Sequence, residues 1–263
     1  MTLVVEDSAT ASDLDDLTDD AFLGGRLHCL QPAKGYRSGL DAVFLAAVIP
    51  AQSGETTLEA GSGTGIASLC LAAGVENLNI IGLDIDRQSI QLARRNAVRN
   101  GFENNSTFIE GDLSKSFKKL EHKGIVQNLY DHVFANPPFF AEEAAQASPN
   151  AGKAKANVMG TEGLDKWLKF LTAVVKPRGS ISLIHRAEAL HALMHAFEGR
   201  AGGLKIYPLF PRDRQPASRV IVQGIKGSRA QSCLLPGQIM HQADGTFTPQ
   251  VQAILRDGRR LKI

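Results

Sequence analysis

Short apolar runs and longer segments of helical period alternate along most of this chain. Thr56 to Ala60, Leu78 to Leu83, Thr107 to Glu110, Tyr130 to Ala135 and Ser180 to Ile184 read as strands. Between them, Ile66 to Ala73, Arg87 to Asn100 and Leu164 to Val175 read as helices. Ile90, Leu92, Ala93, Ala97 and Val98 form the candidate buried face of the second. Leu113 to Gln127 is polar and helical in part, and Ala187 to Phe197 supplies another helix. Leu204 to Leu209 and Arg219 to Ile225 close the series as strands. Strand and helix taking turns in this way predict an α/β fold, with a mostly parallel sheet and helices on both faces.

The flanks break the pattern. Residues 1–20 carry seven acidic residues and no Lys or Arg, and read as a disordered acidic leader. Arg26 to Gln31 alternates like a strand, Gly35 to Gly39 is a loop, and Leu40 to Ile49 is a buried helix ended by Pro50. Residues 141–163 are small, polar and lysine-bearing, which predicts a mobile loop, with Lys153 and Lys155 able to touch an anion. After Ser228 the pattern weakens. The divisions are therefore 1–20, 21–55, 56–228 and a basic extension over 229–263.

A hydrophobic content of 43% over 263 residues is ordinary for a soluble globular chain, and no apolar run is long enough to span a bilayer. No basic-then-apolar leader opens the sequence. Cys29, Cys70 and Cys233 are scattered and odd in number, which suggests neither a disulfide framework nor a zinc site. The expectation is a cytoplasmic protein without a metal, its cysteines small buried apolar residues. The net charge of +2 hides an asymmetry: without the leader, 20 acidic residues face all 29 Lys and Arg. From Gly203 onward there are ten Lys or Arg and three Asp, a balance that suits a polyanion.

Two motifs carry chemistry. Gly61-Ser62-Gly63-Thr64-Gly65 joins a strand to a helix, so a ligand can approach its backbone closely. The dinucleotide pattern would put its third glycine at Ile66, which argues against a pyrophosphate site. The second motif, Asn136-Pro137-Pro138-Phe139-Phe140, follows a buried strand. The carboxyl end of a strand in such a sheet is where ligands bind. Two acceptors, the Asn136 side-chain oxygen and the Pro137 carbonyl, suit the two hydrogens of a planar amine, and Phe139 would cover its face. The plainer alternative is a proline-rich turn with Phe in the core.

Glu59-x-Gly61-x-Gly63-x-Gly65, with Asp84 and Asp112 after the next two strands, resembles the class I S-adenosylmethionine-dependent methyltransferases. The resemblance implies a Rossmann-like, doubly wound, seven-stranded sheet with an antiparallel last strand. It assigns Glu59, Gly61, Gly63, Gly65, Asp84, Asp112 and Asn136 to the cofactor site. Gly35 to Leu45, with the Asn-Pro-Pro-aromatic motif, is similar to the bacterial valine-tRNA adenine-N6 methyltransferases, a family that also has members labelled predicted O-methyltransferases. That similarity implies that residues 21–55 cover the cofactor, that Arg37, Ser38 and Asp41 border its pocket, and that Asn136, Pro137 and Phe139 serve catalysis. Phe139 stands where Tyr is common in the family. Arg212, Arg214 and Arg219, around a proline-broken connection, are the candidates for a nucleic-acid backbone.

Three readings follow: a tRNA or other RNA adenine-N6 methyltransferase; a methyltransferase of another acceptor, at small-molecule oxygen or protein amide; or a non-catalytic RNA-binding module with a retained fold. Transfer to an amine from a sulfonium demands positioning and polarisation rather than a strong base.

Overall fold

The computed structural model describes residues 16–35, 37–138 and 152–263, with the backbone alone over 152–162. An antiparallel hairpin comes first. β1 (Leu17–Phe22) pairs with β2 (Leu27–Pro32) from Leu17 opposite Pro32 to Phe22 opposite Leu27. Leu17 to Asp20 thus belong to a strand, within the segment expected to be a disordered leader. Its last aspartates have partners there, Asp19 with Arg99 and Asp20 with Arg37, each at 2.6 Å.

α1 (Leu40–Val48) follows, buried from Ala42 to Val48. The core of the fold is then β3 (Thr56–Ala60), α2 (Ile66–Gly74), β4 (Asn79–Asp84), α3 (Arg87–Arg99), β5 (Ser106–Glu110), α4 (Phe117–Glu121) and β6 (Tyr130–Ala135). It continues through α5 (Gly152–Val174), β7 (Val175–Arg186), α6 (Leu190–Phe197), β8 (Ala201–Phe210) and β9 (Arg219–Lys226). The sheet runs β8-β9-β7-β6-β3-β4-β5. β3 to β7 pair in parallel, and β9 is antiparallel to both of its neighbours. This is the expected seven-stranded sheet with its last strand reversed. Two-residue strands, β10 (Cys233–Leu234) and β11 (Gln238–Ile239), extend the β8 edge.

Apolar residues cover both faces. On one, α1, α2, α3 and α7 (Pro249–Asp257) enclose a core that includes Phe44, Ile66, Ile90 and Ile254. On the other, α4, α5 and α6 bury Leu120, Leu168, Leu171 and Phe197. The C-terminal segment is stapled to α1. Leu261 N donates to Ala47 O at 2.8 Å, and the Arg260 guanidinium donates to the carbonyls of Ala51 and Ile49.

Four expectations need correction. α5 begins at Gly152, inside the segment expected to be a mobile loop; its Ala, Lys and Met are strong helix formers, and no proline intervenes before Pro177. β7 starts at Val175 rather than Ser180, and a register shift opposite Tyr130 and His132 absorbs its irregular start. Val98 is 63% exposed, whereas Asn96 is fully buried on the same helix. Cys233 is exposed on an edge strand, unlike Cys29 and Cys70. Among the described residues no helix is long and apolar enough to cross a membrane.

Candidate active site

Because β3 to β6 run in parallel, their carboxyl ends share one edge, and backbone hydrogen bonds stitch the loops there together. Gly61 N and Ser62 N both donate to Leu83 O, at 2.7 and 3.1 Å, so the glycine turn folds over the end of β4. Asp84 Oδ2 accepts from Gly63 N at 2.7 Å, and Gly111 N donates to Asp84 O at 2.7 Å. Gly65 precedes α2 with φ 84°, and an added Cβ would lie 2.9 Å from Phe108 Cζ. Left-handed backbone and close packing both require glycine there.

These loops wall a cleft of about 510 Å³. Gly61, Gly63, Asp84, Asp112, Asn136 and Pro138 are among the residues that line it. Lys166 and Trp167 close it from α5. Asp84 Oδ1 accepts from Asp86 N at 2.9 Å, so each Asp84 oxygen holds one backbone N–H and keeps acceptor capacity. The Ser114 hydroxyl, 2.6 Å from Asp112 Oδ1, holds that carboxyl below the usual carboxylate range, assisted by Ser114 N. A cleft of this size with a few convergent polar groups suits a small organic ligand.

Glu59 is placed elsewhere. It is buried beneath the turn, is not among the cleft-lining residues, and its Oε2 accepts from Ser68 N at 3.0 Å and Ser68 Oγ at 2.6 Å. It thereby satisfies a free N–H in the first turn of α2. Burial pushes its carboxyl up to about 8, against the lowering effect of both Ser68 bonds.

The segment before β3 also departs from the expected arrangement. Arg37 is bound by both oxygens of Asp20, at 2.7 and 2.6 Å. Ser38 exchanges two backbone hydrogen bonds with the Gln31 amide. Asp41 pairs with Arg219 Nε at 2.8 Å. None of the three lines the cleft. Arg219 is therefore an internal tie between α1 and β9 rather than a solvated cation offered to a polyanion. Arg212 and Arg214 are exposed in the β8–β9 connection, on the same edge as Asn136. Met240 N and His241 N brace that connection by donating to Phe210 O and Pro211 O. Pro137 is buried, whereas Asn136 and Pro138 reach the cleft wall. Phe139 and the side chains of Lys153 and Lys155 lie outside the described residues. His185, near the end of β7, is buried; desolvation and the charges of Arg186 and Arg219 push it down to about 4 despite a backbone hydrogen bond at Arg186.

The methyltransferase domain family profile matches residues 51–205, more than half of the chain. The chain belongs to that family. This methyltransferase is 26% identical over 241 residues to a Shewanella sp. (strain W3-18-1) protein named tRNA1(Val) (adenine(37)-N6)-methyltransferase, covering 90% of the chain and 91% of the relative. A Porphyromonas gingivalis (strain ATCC 33277) protein of the same name is 26% identical, covering 88% and 91%. Among solved structures, an Agrobacterium tumefaciens protein described as a predicted O-methyltransferase superposes with a TM-score of 0.71 at 25% identity, covering 85% of this chain and 98% of its own. An S-adenosylmethionine-dependent O-methyltransferase from Thermotoga maritima, at 14% identity and a TM-score of 0.52 over 75% of this chain and 69% of its own, shares the fold.

Three residues of the methyltransferase site were not singled out from sequence. Trp167, its only tryptophan, and Lys166 sit in a segment read simply as a helix. Asn96 Nδ2 donates to Leu30 O and to Thr64 O, each at 3.0 Å, and its Oδ1 accepts from Leu30 N at 2.7 Å. One buried amide thus fixes the glycine turn to the N-terminal hairpin. A polar residue inside the apolar stripe of α3 was its signal.

Proposed function

We propose that this methyltransferase transfers a methyl group from S-adenosylmethionine to the exocyclic N6 amine of an adenine in tRNA, in the cytoplasm. The observation that carries this reading is the convergence of Asn136 with Asp84, Asp112 and the glycine turn on one cleft. The chain's residues fit the donor: Asp84 and Asp112 have acceptor capacity for ribose hydroxyls and an adenine amine, and Gly61 and Gly63 line the cleft without side chains. The sulfonium donor supplies an activated methyl, so that nitrogen forms the new N–C bond, sulfur keeps the old bonding pair and one N6 proton leaves to water.

Asn136 then accepts one N6 hydrogen with its side-chain oxygen while the Pro137 carbonyl accepts the other, orienting the nitrogen lone pair toward the methyl carbon. Arg212 and Arg214 rest against phosphates on the same sheet edge. The names of the curated relatives make adenine 37 of valine tRNA the first substrate to try.

A second reading, methyl transfer to oxygen, draws on the description of the Agrobacterium structure. One experiment separates the two. The protein is incubated with labelled donor and total cellular RNA, and the nucleosides are analysed. Label in N6-methyladenosine from the tRNA fraction is expected; an active donor site that labels no RNA would sink the first reading.

A further inference from the structure

The cleft is electrically lopsided. Asp84 ends β4, Asp112 follows β5, and Lys166 is the only cation among the described residues that line it. Its helical turn is pinned from both sides. The preceding Asp165 pairs with Arg200 at 2.8 Å, and the following Trp167 abuts the glycine turn, where an added Gly61 Cβ would lie 2.5 Å from Trp167 Cη2. Lys166 itself is exposed and makes no ion pair among the described residues. Arg37, assigned to this pocket by resemblance, is held by Asp20 and is not on the cleft wall.

We propose that Lys166 anchors the α-carboxylate of the methyl donor; this rests on S-adenosylmethionine being that donor. Two carboxylates at one part of the cleft repel the donor's own carboxylate and receive its hydroxyls and amine. The single ammonium, on the residue before the Trp167 that abuts Gly61, attracts it. The charges thus set which way round the donor lies before any acceptor arrives. A lysine, a compact charge on a flexible stem, suits a carboxylate at a solvent-facing rim, where bidentate geometry is not imposed.

Calorimetry with the full chain and three ligands tests this. S-adenosylmethionine and S-adenosylhomocysteine carry the carboxylate; 5′-methylthioadenosine keeps adenine, ribose and sulfur but lacks it. Lys166→Ala is expected to weaken the first two about tenfold at low salt, the lower end for a hydrogen bond to a charged group. The third should bind as it does to the parent. The penalty should shrink as salt rises, and Lys166→Arg should restore most of the affinity. Should Lys166→Ala melt early, Lys166→Gln repeats the comparison with most of the stem retained. Equal loss for all three ligands, or loss for none, overturns the anchor while leaving the donor reading in place. A parent protein that binds none of the three overturns the donor reading and the anchor together.

Discussion

Gly61 and Trp167 fit so closely that a methyl group between them has no room: a Cβ at position 61 would lie 2.5 Å from Cη2 of the indole. Gly61 also has φ 65°, where side chains are strained. Gly61→Ala is therefore expected to destabilise the fold by about 1–3 kcal/mol through overpacking and to weaken donor binding. Trp167→Leu should recover part of the packing cost in the double mutant but none of the backbone strain. Thermal melts of the two single mutants and the double mutant form the cycle; strictly additive losses would mean that the indole is not what excludes the Cβ.

Asp84 latches the glycine turn through Gly63 N and still faces the cleft. Asp84→Ala is expected to cost about 1.5–3 kcal/mol in S-adenosylmethionine affinity, the range for hydrogen bonds to a charged group. Asp84→Asn, which keeps an acceptor for Gly63 N, should bind more tightly than Asp84→Ala. Unchanged affinity in a folded Asp84→Ala protein would remove this carboxylate from the donor site.

The basic residues after β8 divide into two kinds. Arg219 and Asp41 are a partly buried pair joining α1 to β9. Arg219→Ala should lower the melting temperature, at about 1 kcal/mol after allowing for solvent screening. Arg212→Ala with Arg214→Ala should leave melting unchanged and weaken RNA binding. The slope of log affinity against log salt should flatten by about 0.7–0.9 for each phosphate that is no longer neutralised. Filter binding across a salt series reads this directly, and a parental slope in the double mutant would take the connection out of the interface.

This division explains what was legible in the sequence. Strand and helix periods are local, so β6 has the bounds expected for it, and the mostly parallel sheet follows from the β/α alternation. Glycine turns and strand-end acids also announce themselves within a few residues. Ion-pair partners do not: Asp41 and Arg219 are 178 positions apart, and only the fold brings them together. The same holds for Asp20 and Arg37, whose charges read separately as leader acidity and a pocket cation. Glu59 has the spacing of a ligand-binding residue, yet its side chain turns under the glycine loop, a choice set by Ser68 on the next helix. Trp167 drew no notice inside its helix because helical period cannot tell a core wall from a cleft wall.

Glu59 also gives a pH signature. Its folded-state pKa of about 8 lies above its ordinary 4.5, so the folded state holds the proton more tightly. The associated stability is fully present below about 4.5 and is lost as pH rises toward 8, with a slope of at most about 1.4 kcal/mol per pH unit. Glu59→Gln keeps an acceptor for Ser68 and abolishes that slope. Denaturant midpoints of both proteins from pH 5 to pH 8 should therefore converge toward the acidic end and separate toward the alkaline end, the Gln variant becoming the more stable. Parallel curves would show that Glu59 is ionised throughout.

Asn136 stands one residue past β6, on the cleft wall with Pro138, and β6 is the parallel neighbour of β3, which leads into the glycine turn. If its oxygen accepts a hydrogen of the attacking amine, Asn136→Ala keeps donor affinity and loses methyl transfer. Removing one preorganised polar partner of a developing charge costs about 10²–10³ in turnover. Asn136→Asp still accepts a hydrogen bond, so it should retain more activity than Asn136→Ala, though its charge alters the field at the sulfonium. A residue that merely shapes a proline turn predicts another pattern: both variants melt earlier, and activity falls only with the folded fraction. Single-turnover rates on tRNA, measured beside melting curves and donor affinities of the same preparations, distinguish the two. Parental rates in a folded Asn136→Ala enzyme would place the methyl-acceptor contact elsewhere on this edge.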